Sequence, residues 1–189
     1  MQWDTAADHF IEALASSDPT PGGGAGAAMA GAMGCALALM AVQTTLKRKS
    51  TSAQAQTLLT EGAKRISSLK MELKNLMQKD AEAYAAYLTA KKLPLGDSHR
   101  TKVLQDALWF AATVPADTAT TAVHCLREID RIKADIAPVI QSDVSCAQHL
   151  LRAAIRCAVE NIRANAIYIT NEERKEFLEK QVTSLLKSC

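Results

Sequence analysis

Two acidic residues stand where an acid–base group would be useful. Asp80 falls on a helical apolar seam with three-four spacing, which reads Ile66, Leu69, Leu73, Leu76, Asp80, Ala83, Tyr87. Burying an unpaired carboxylate is costly and usually raises its pKa, so Asp80 needs a partner or a proton-transfer role. An Asp at the seam margin, paired with a nearby Lys, is the alternative. Asp143 follows Ser142 at the start of a late helix, where capping alone would explain it.

Asn161 and Asn165 place two amides on a second seam that is otherwise apolar. The preceding seam positions are Val144, Ala147, Leu151, Ala154 and Ala158. Two amides one turn apart can hold a polar heterocycle together or can bridge two helices. The residues by themselves favour the bridging role and leave the binding role open.

The segment Pro19-Thr20-Pro21-Gly22-Gly23-Gly24 predicts a tight loop that leads into a helix. A helix that begins after such a loop can direct backbone N–H groups toward an anion or a carbonyl. The Gly-Lys-Ser/Thr ending of a nucleotide P-loop is missing, and no strand is predicted before the glycines, so a dinucleotide fingerprint is also excluded. By itself the loop is a weak functional signal.

The elements that must position these residues are all predicted to be helices. Three-four periodicity and helix breakers predict helices over Thr5–Ala15 and Ala25–Leu46, followed by a long helix that ends near Lys92. A fourth helix begins at Asp97 or Ser98 and is ended or sharply turned by Pro115, and a further helix follows before Pro138. The last two helices cover Ser142–Ile169 and a segment opened by Asn171. The composition also favours helices, because Ala is abundant and aromatic residues, which are enriched in strands, make up only 4% of the chain. We predict an all-α protein, one domain over residues 1–189, built as a multi-helix bundle with long antiparallel helices.

Composition narrows the partners and the compartment. A net charge of +2 gives no reason to expect nucleic acid or a membrane surface. Five cysteines without a CxxC pair, and an amino terminus without the order of a signal peptide, predict a cytoplasmic protein. The uncharged stretch from Pro19 through Leu46 is long enough to span a bilayer, but its Ala and Gly content favours a buried central helix. No Cys or His spacing suits a metal site.

Four stretches carry a resemblance to a known family. They are the loop at Pro19–Gly24 with its Ala/Gly helix, Asp80-Ala81-Glu82-Ala83-Tyr84 continuing to Leu93-Pro94, Val114-Pro115, and Ser142-Asp143 leading to Asn161 and Asn165. Together they resemble the cyclodeaminase domain of formiminotransferase-cyclodeaminase and the methenyltetrahydrofolate cyclohydrolases of the serine-cycle type. The resemblance implies an all-helical homodimer with a folate site near the subunit junction, and no cofactor or metal beyond a tetrahydrofolate substrate that carries a one-carbon unit.

The resemblance also suggests roles for individual residues. Asp80 or Asp143 would be the general base, and Glu82, which lies off the seam, is a weaker candidate within the substrate site. Asn161 and Asn165 would orient the pterin or the reacting water, and Gly22, Gly23 and Gly24 would shape the wall beside it. Lys47 and Arg48 would hold the carboxylates of the glutamate tail.

Three functions follow from the resemblance as expectations. The first is hydrolysis of 5,10-methenyltetrahydrofolate to 10-formyltetrahydrofolate, and the second is ammonia release from formiminotetrahydrofolate. The third is a folate-binding or helical interaction protein without catalysis. It is motivated by two departures from the family pattern, Ala25 where Ser is frequent and Leu46 where Gly is common.

Overall fold

The computed structural model of the protein describes residues 3–189, with side chains from Asp4 onward. The six helices are α1 (Trp3–Ala15), α2 (Gly23–Leu46), α3 (Ala53–Lys91), α4 (Arg100–Ile132), α5 (Gln141–Ala166) and α6 (Glu172–Lys187). Two short 3₁₀ turns, Lys133–Asp135 and Pro138–Ile140, join α4 to α5. No β-strand occurs within the described range. The predicted all-α class is therefore confirmed.

Helices α2 to α5 form a four-helix bundle in which α2 lies between α3 and α5, and α4 closes the ring. Gly24 lies beside Asp80 of α3 while Gly31 lies beside Leu73, so α2 and α3 run antiparallel. The same comparison, Gly23 beside Asn161 and Gly34 beside Leu151, shows that α5 is also antiparallel to α2. The predicted long antiparallel helices are thus observed, and α6 packs against α4 and α5.

The small residues of α2 allow its neighbours to approach closely. A Cβ atom added at Gly34 would lie 2.9 Å from the backbone oxygen of Ala147 in α5. A Cβ atom at Gly31 would lie 3.1 Å from the Leu73 side chain and 3.5 Å from Ala154. These glycines therefore serve packing inside one subunit, which offsets the roughly 1 kcal/mol that each costs in a helix relative to Ala. Although α2 is long and apolar enough to span a membrane, it is the central helix of this bundle.

The core follows the predicted seams. Fully buried large side chains come from the three helices that surround α2 and from the last helix: Leu59, Ile66, Leu73, Ile129, Ile132, Leu151, Ile155, Ile162 and Leu178. Burial of each such side chain stabilises the fold by about 1.5–3 kcal/mol before conformational entropy is subtracted. Asp80, Asn161 and Asn165 continue these seams toward one end of the bundle, where the core becomes polar.

The predicted helix end at Pro115 is wrong. Helix α4 continues without a break from Arg100 to Ile132, with Pro115 inside it. A Pro in a helix removes one backbone hydrogen bond and costs about 3 kcal/mol. Two features of the tertiary structure offset this cost: Val114, Pro115 and Ala116 are buried, and a side chain of α5 supplies a donor to the carbonyl group that Pro115 leaves without one.

Two apolar surfaces remain outside the core. On α1, Ile11 is 57% exposed and Leu14 is 42% exposed, so part of the apolar surface of this helix is not buried. On α2, Met33 and Met40 are exposed on one face, with Leu37 half-buried between them. Met33, Leu37 and Met40 lie on the side of α2 that α3 and α5 leave uncovered.

Candidate functional site

A cavity of about 230 Å³ opens at the end of the bundle where α2 begins. The glycine loop forms one wall. Helix α3 contributes Asp80 and two tyrosines, α4 contributes Leu108 and Ala111, and α5 contributes Asn161 and Asn165. The polar residues that interrupt the two predicted seams are thus brought together in one place.

Asp80 caps a helix other than its own. The N-cap residue of α2 is Gly22, which has no side chain to accept a hydrogen bond from the first turn. Instead, the Ala25 N–H of α2 donates to Oδ2 of Asp80 on α3 at 2.9 Å. The carboxylate therefore satisfies one of the amides that a helix start leaves free, and Oδ1 is not used in this bond.

Gly24 is required by this contact, and Gly23 makes a tight contact with a second polar side chain. A Cβ atom at Gly24 would collide with the Asp80 carboxylate, and one at Gly23 would lie 3.2 Å from Nδ2 of Asn161. These glycines are therefore needed for the close approach of α3 and α5, and neither has a positive φ. The sequence identified the loop, but only the tertiary structure shows which atoms it accommodates.

Burial raises the pKa of the Asp80 carboxyl above its usual range, and the Ala25 N–H opposes this shift only in part. Among the described residues that line the cavity, Asp80 is the only carboxylate, and none is Lys, Arg or His. The interaction of this carboxylate with a bound cation would therefore face no competition from a neighbouring basic side chain. A carboxyl group with a raised pKa also exchanges a proton more readily near neutral pH.

The two asparagines point their nitrogen atoms toward backbone carbonyls. Asn161 Nδ2 donates to the Cys157 oxygen one turn earlier at 2.8 Å, and Asn165 Nδ2 donates to the Ala111 oxygen of α4 at 2.8 Å. Asn165 therefore bridges two helices, as the bridging alternative predicted, while it also lines the cavity. Bridging and cavity lining are compatible because an amide has a donor end and an acceptor end.

Three tyrosines complete the cavity, and none was among the predicted site residues. The rings of Tyr84 and Tyr87 lie 6.3 Å apart at their centroids. Tyr84 and Tyr87 follow Asp80 by four and seven positions, a spacing that shares a helix face and could have identified them. Tyr168 lies beyond the end of α5, and no sequence signal placed it there.

The loop that carries Tyr168 is held by α4. Gln105 donates through Nε2 to the Tyr168 oxygen at 3.1 Å, and its Oε1 accepts the Thr170 N–H at 2.8 Å. One side chain thus binds both sides of the α5–α6 turn. Tyr168 itself is 62% exposed, so the ring lies at the mouth of the cavity.

Four predicted site residues lie outside this cavity. Glu82 is exposed on α3 and does not line it. Asp143 lies at the other end of α5, about 27 Å along the helix from Asn161, where Ser142 Oγ is 3.5 Å from its carboxylate. Lys47 and Arg48 are exposed just after α2 ends, about 36 Å from its first residue. Within one subunit, Asp80 and Asp143 do not share a cavity.

Other residues with reactive or ligating groups are dispersed. All five cysteines are free, and the buried pair Cys35 and Cys125 has its Sγ atoms 3.2 Å apart. Within residues 3–189, no group of three or more His, Cys, Asp and Glu side chains is arranged to hold a metal ion. The cavity at Asp80 is where the polar residues of the two predicted seams converge.

Comparison with known proteins identifies the family. The sequence profile of formiminotransferase-cyclodeaminase matches residues 6–184. The chain belongs to this family. Among its members, the methenyltetrahydrofolate cyclohydrolase of Methylorubrum extorquens is 31% identical, and the alignment covers 98% of this chain and 91% of that protein. The formimidoyltransferase-cyclodeaminase of Rattus norvegicus is 28% identical over 98% of this chain but only 35% of that longer protein.

A solved structure shows the same fold within the family. The formiminotetrahydrofolate cyclodeaminase of Thermotoga maritima superposes with a TM-score of 0.86 at 26% identity, covering 96% of this chain and 88% of that one. The helical bundle described above is therefore the family fold.

Proposed function

We propose that this protein is a methenyltetrahydrofolate cyclohydrolase, which hydrolyses 5,10-methenyltetrahydrofolate to 10-formyltetrahydrofolate. The observation that carries the proposal is the placement of Asp80, a half-buried carboxylate with a raised pKa in a cavity lined by no cationic side chain among the described residues. The similarity to the cyclohydrolase of Methylorubrum extorquens, which extends over nearly the full length of both chains, favours this member of the family's reactions.

The proposed reaction needs a group that both stabilises a cation and moves a proton. The carbon that bridges N5 and N10 carries positive charge, and an ionised Asp80 beside it lowers the energy of the bound cation. Water attacks this carbon, and Asp80 accepts a proton from the water as general base. The bond from carbon to N5 then breaks as Asp80 returns the proton to N5. Loss of the hydroxyl proton completes the formyl group on N10, so one proton is released in each turnover.

The other cavity residues suit a flat heterocycle. Tyr84 and Tyr87 offer aromatic faces and edges against which a pterin can pack. The oxygens of Asn161 and Asn165 can accept hydrogen bonds from ring N–H groups, because their nitrogens already donate to backbone carbonyls. The glycines at the start of α2 leave room for the Asp80 carboxylate and the Asn161 amide at the edge of the cavity.

A homodimer through the exposed face of α2 would explain two of the predicted residues outside the cavity, Lys47 and Arg48. Gly26, Met33, Met40 and Lys47 are spaced seven apart along α2, the spacing of a helix–helix seam; Met33 and Met40 are exposed, and Gly26 lies beside Leu14 of α1. Antiparallel pairing of two copies about the middle of this stripe places position 47 of one copy opposite position 26 of the other. Lys47 and Arg48 of the second copy would then lie near the first copy's glycine loop, where they could bind the glutamate tail's carboxylates.

Cyclodeamination is the second candidate, favoured by the Thermotoga maritima structure and the longer animal relatives. In that reaction N10 attacks a formimino carbon and ammonia leaves, so Asp80 would again serve a cationic carbon and a proton transfer. A protein that binds folate without catalysis is the third candidate. Ala25 motivates it, because the family's frequent Ser hydroxyl is absent beside the Asp80 contact.

The purified protein should be offered both folates. Loss of the chromophore of the bridged cation reports hydrolysis, and ammonia release reports deamination. We expect hydrolysis, and we expect Asp80→Asn to reduce kcat by a factor of about 10²–10⁴. Glu82→Gln, outside the cavity on the same helix, is the matched acidic control, and Asp143→Asn separately tests the second predicted base. Full turnover in Asp80→Asn would exclude Asp80 as the base, and inactivity of the wild-type protein with both folates would exclude both reactions.

The remaining expectations concern cellular context. Five free thiols are suited to a reducing compartment, so a cytoplasmic location stays our prediction. We also expect turnover with no cofactor or metal beyond the folate substrate, and no affinity for nucleic acid or membranes. If turnover needs no metal, the protein should keep full activity after dialysis against a chelator.

A further inference from the structure

The orientation of the Asn165 side-chain amide depends on an unusual backbone feature of α4. In a regular helix the N–H of residue 115 would donate to the carbonyl oxygen of residue 111. Pro115 has no N–H, and its ring also crowds that carbonyl group. Ala111 is partly buried, and a carbonyl group that is removed from water without a donor is costly, so a donor from outside the helix stabilises the Ala111 oxygen.

Asn165 supplies that donor. Its Nδ2 lies 2.8 Å from the Ala111 oxygen, and both residues line the cavity. Reversing the amide would set two acceptor oxygens against each other, so this contact determines which end of the amide faces Ala111. The oxygen atom, Oδ1, is consequently the end that remains for another partner.

We propose that Pro115 is a positioning residue for the cavity: the carbonyl that it leaves free holds the Asn165 amide with its oxygen available to an N–H group of the ligand. This inference rests on the proposed function and adds a specificity rule to it. Asn161 has the same polarity, since its nitrogen donates to the Cys157 oxygen. With Asp80, the cavity then offers three acceptors, which selects a heterocycle whose edge carries N–H or amino groups.

Pro115 is buried and does not line the cavity, so it acts through Ala111 and Asn165 and not by contact with a ligand. In Pro115→Ala, the restored N–H would bond to the Ala111 oxygen along the helix axis. The Ala111 oxygen would then accept hydrogen bonds from both this N–H and the Asn165 side chain. The bond to Asn165 would weaken, and the Asn165 amide would rotate more freely. The effect should appear in ligand affinity and leave the acid–base group at Asp80 unchanged.

The test is a double-mutant cycle with Pro115→Ala, Asn165→Ala and the combined variant, assayed with 5,10-methenyltetrahydrofolate. We expect each single variant to raise KM about tenfold, the effect of losing one hydrogen bond to a ligand group, with kcat changed less than about twofold. Because both act through one amide, the combined variant should resemble Asn165→Ala alone. Pro138→Ala, at the exposed start of a turn at the opposite end, is the matched control.

A second readout does not depend on turnover. The side-chain NH₂ resonance of Asn165, assigned by its absence in Asn165→Ala, should exchange slowly with solvent in the wild-type protein. It should shift and exchange faster in Pro115→Ala while remaining unchanged in Pro138→Ala. If the resonance is unaltered in Pro115→Ala, or if the two single effects on KM multiply in the combined variant, the inference is wrong. Should the wild-type protein convert neither folate, the proposed function fails while the resonance still decides the role of Pro115.

Discussion

Oδ2 of Asp80 on α3 accepts the N–H of Ala25 on α2 at 2.9 Å, so the candidate catalytic carboxylate also caps the central helix. A capping side chain usually lies two or three positions before the N–H group from which it accepts a hydrogen bond. Here the cap is 55 residues away along the chain, and it reaches α2 because Gly24 leaves space for it. The position of the carboxylate is therefore tied directly to the packing of α2 on α3.

Substitution of Asp80 by Asn should separate activity from stability. The amide oxygen of Asn can still accept the Ala25 N–H, but it carries no charge that burial disfavours. We expect kcat to fall strongly while Tm rises by a few degrees at most, since about 1 kcal/mol corresponds to roughly 2–4 °C in a chain of this size. Thermal denaturation at pH 7 measures this, and a lower Tm would show that ionised Asp80 stabilises the fold.

The pH dependence of this stability difference has a defined sign. Because the pKa of Asp80 is raised in the folded protein, folding favours its protonated form. In the unfolded chain the pKa of this group is near 3.8. As the pH rises from 3.8 to the raised pKa of the folded protein, ionisation of Asp80 lowers the free energy of unfolding, and above the raised pKa this loss of stability is constant. The Tm advantage of Asp80→Asn should therefore be larger at pH 7 than at pH 4. An equal difference at both pH values would contradict the raised pKa.

Activity should depend on pH through the same group. A general base must be ionised, so kcat/KM should fall about tenfold for each unit by which the pH lies below the raised pKa of Asp80. The apparent pKa of the free enzyme should accordingly lie above 3.8, the ordinary Asp value. A pH–rate profile measures it, with Glu82→Gln as the control whose profile should match the wild type. A flat profile through this range would assign the base to another group.

Adding one methyl group at Gly24 should displace the Asp80 carboxylate. Gly24→Ala places a Cβ atom into the carboxylate oxygens, and a shift of about 1 Å in a reacting group can reduce kcat about 10²-fold. Gly96→Ala is the control, because a Cβ atom there meets nothing within 4 Å. Steady-state kinetics of both variants test this, and normal turnover in Gly24→Ala would show that the carboxylate position is not critical.

Removal of the Gln105 side chain should loosen the mouth of the cavity. Gln105→Ala loses both hydrogen bonds to the turn that carries Tyr168, worth about 0.5–1.5 kcal/mol each. We expect faster hydrogen exchange over residues 167–171 and a KM raised severalfold. Gln148→Ala, which removes one hydrogen bond to Asp130 at the other end of the bundle, should change neither value. Unaltered exchange in Gln105→Ala would exclude this role.

A charge on the exposed face of α2 should prevent association of two copies. Met33→Glu and Met40→Glu place carboxylates on the proposed seam, where burying them unpaired is costly. Light scattering should show a dimer for the wild type and a monomer for these variants. Met71→Glu, at a comparably exposed methionine on α3, should remain dimeric. A monomeric wild-type protein would exclude the homodimer and its shared site.

Local sequence signals predicted the fold class and three of the polar residues that line the cavity at Asp80. Helical periodicity and the breakers predicted the helices to within a few residues at most ends, apart from the division of α4 at Pro115, because apolar spacing and caps are local signals. Polar residues on otherwise apolar seams singled out Asp80, Asn161 and Asn165, since such positions are expensive to bury without a partner or a function.

Which of the predicted residues share a cavity depends on how the helices pack against one another. Asp143, Lys47 and Arg48 lie at the far ends of helices whose length separates them from Asp80, and linear spacing cannot reveal this. The path of α4 through Pro115 was likewise mispredicted from local rules. The Ala111 oxygen receives its hydrogen bond from Asn165, 54 residues away, and a partner that distant in the chain becomes a neighbour only when the bundle packs.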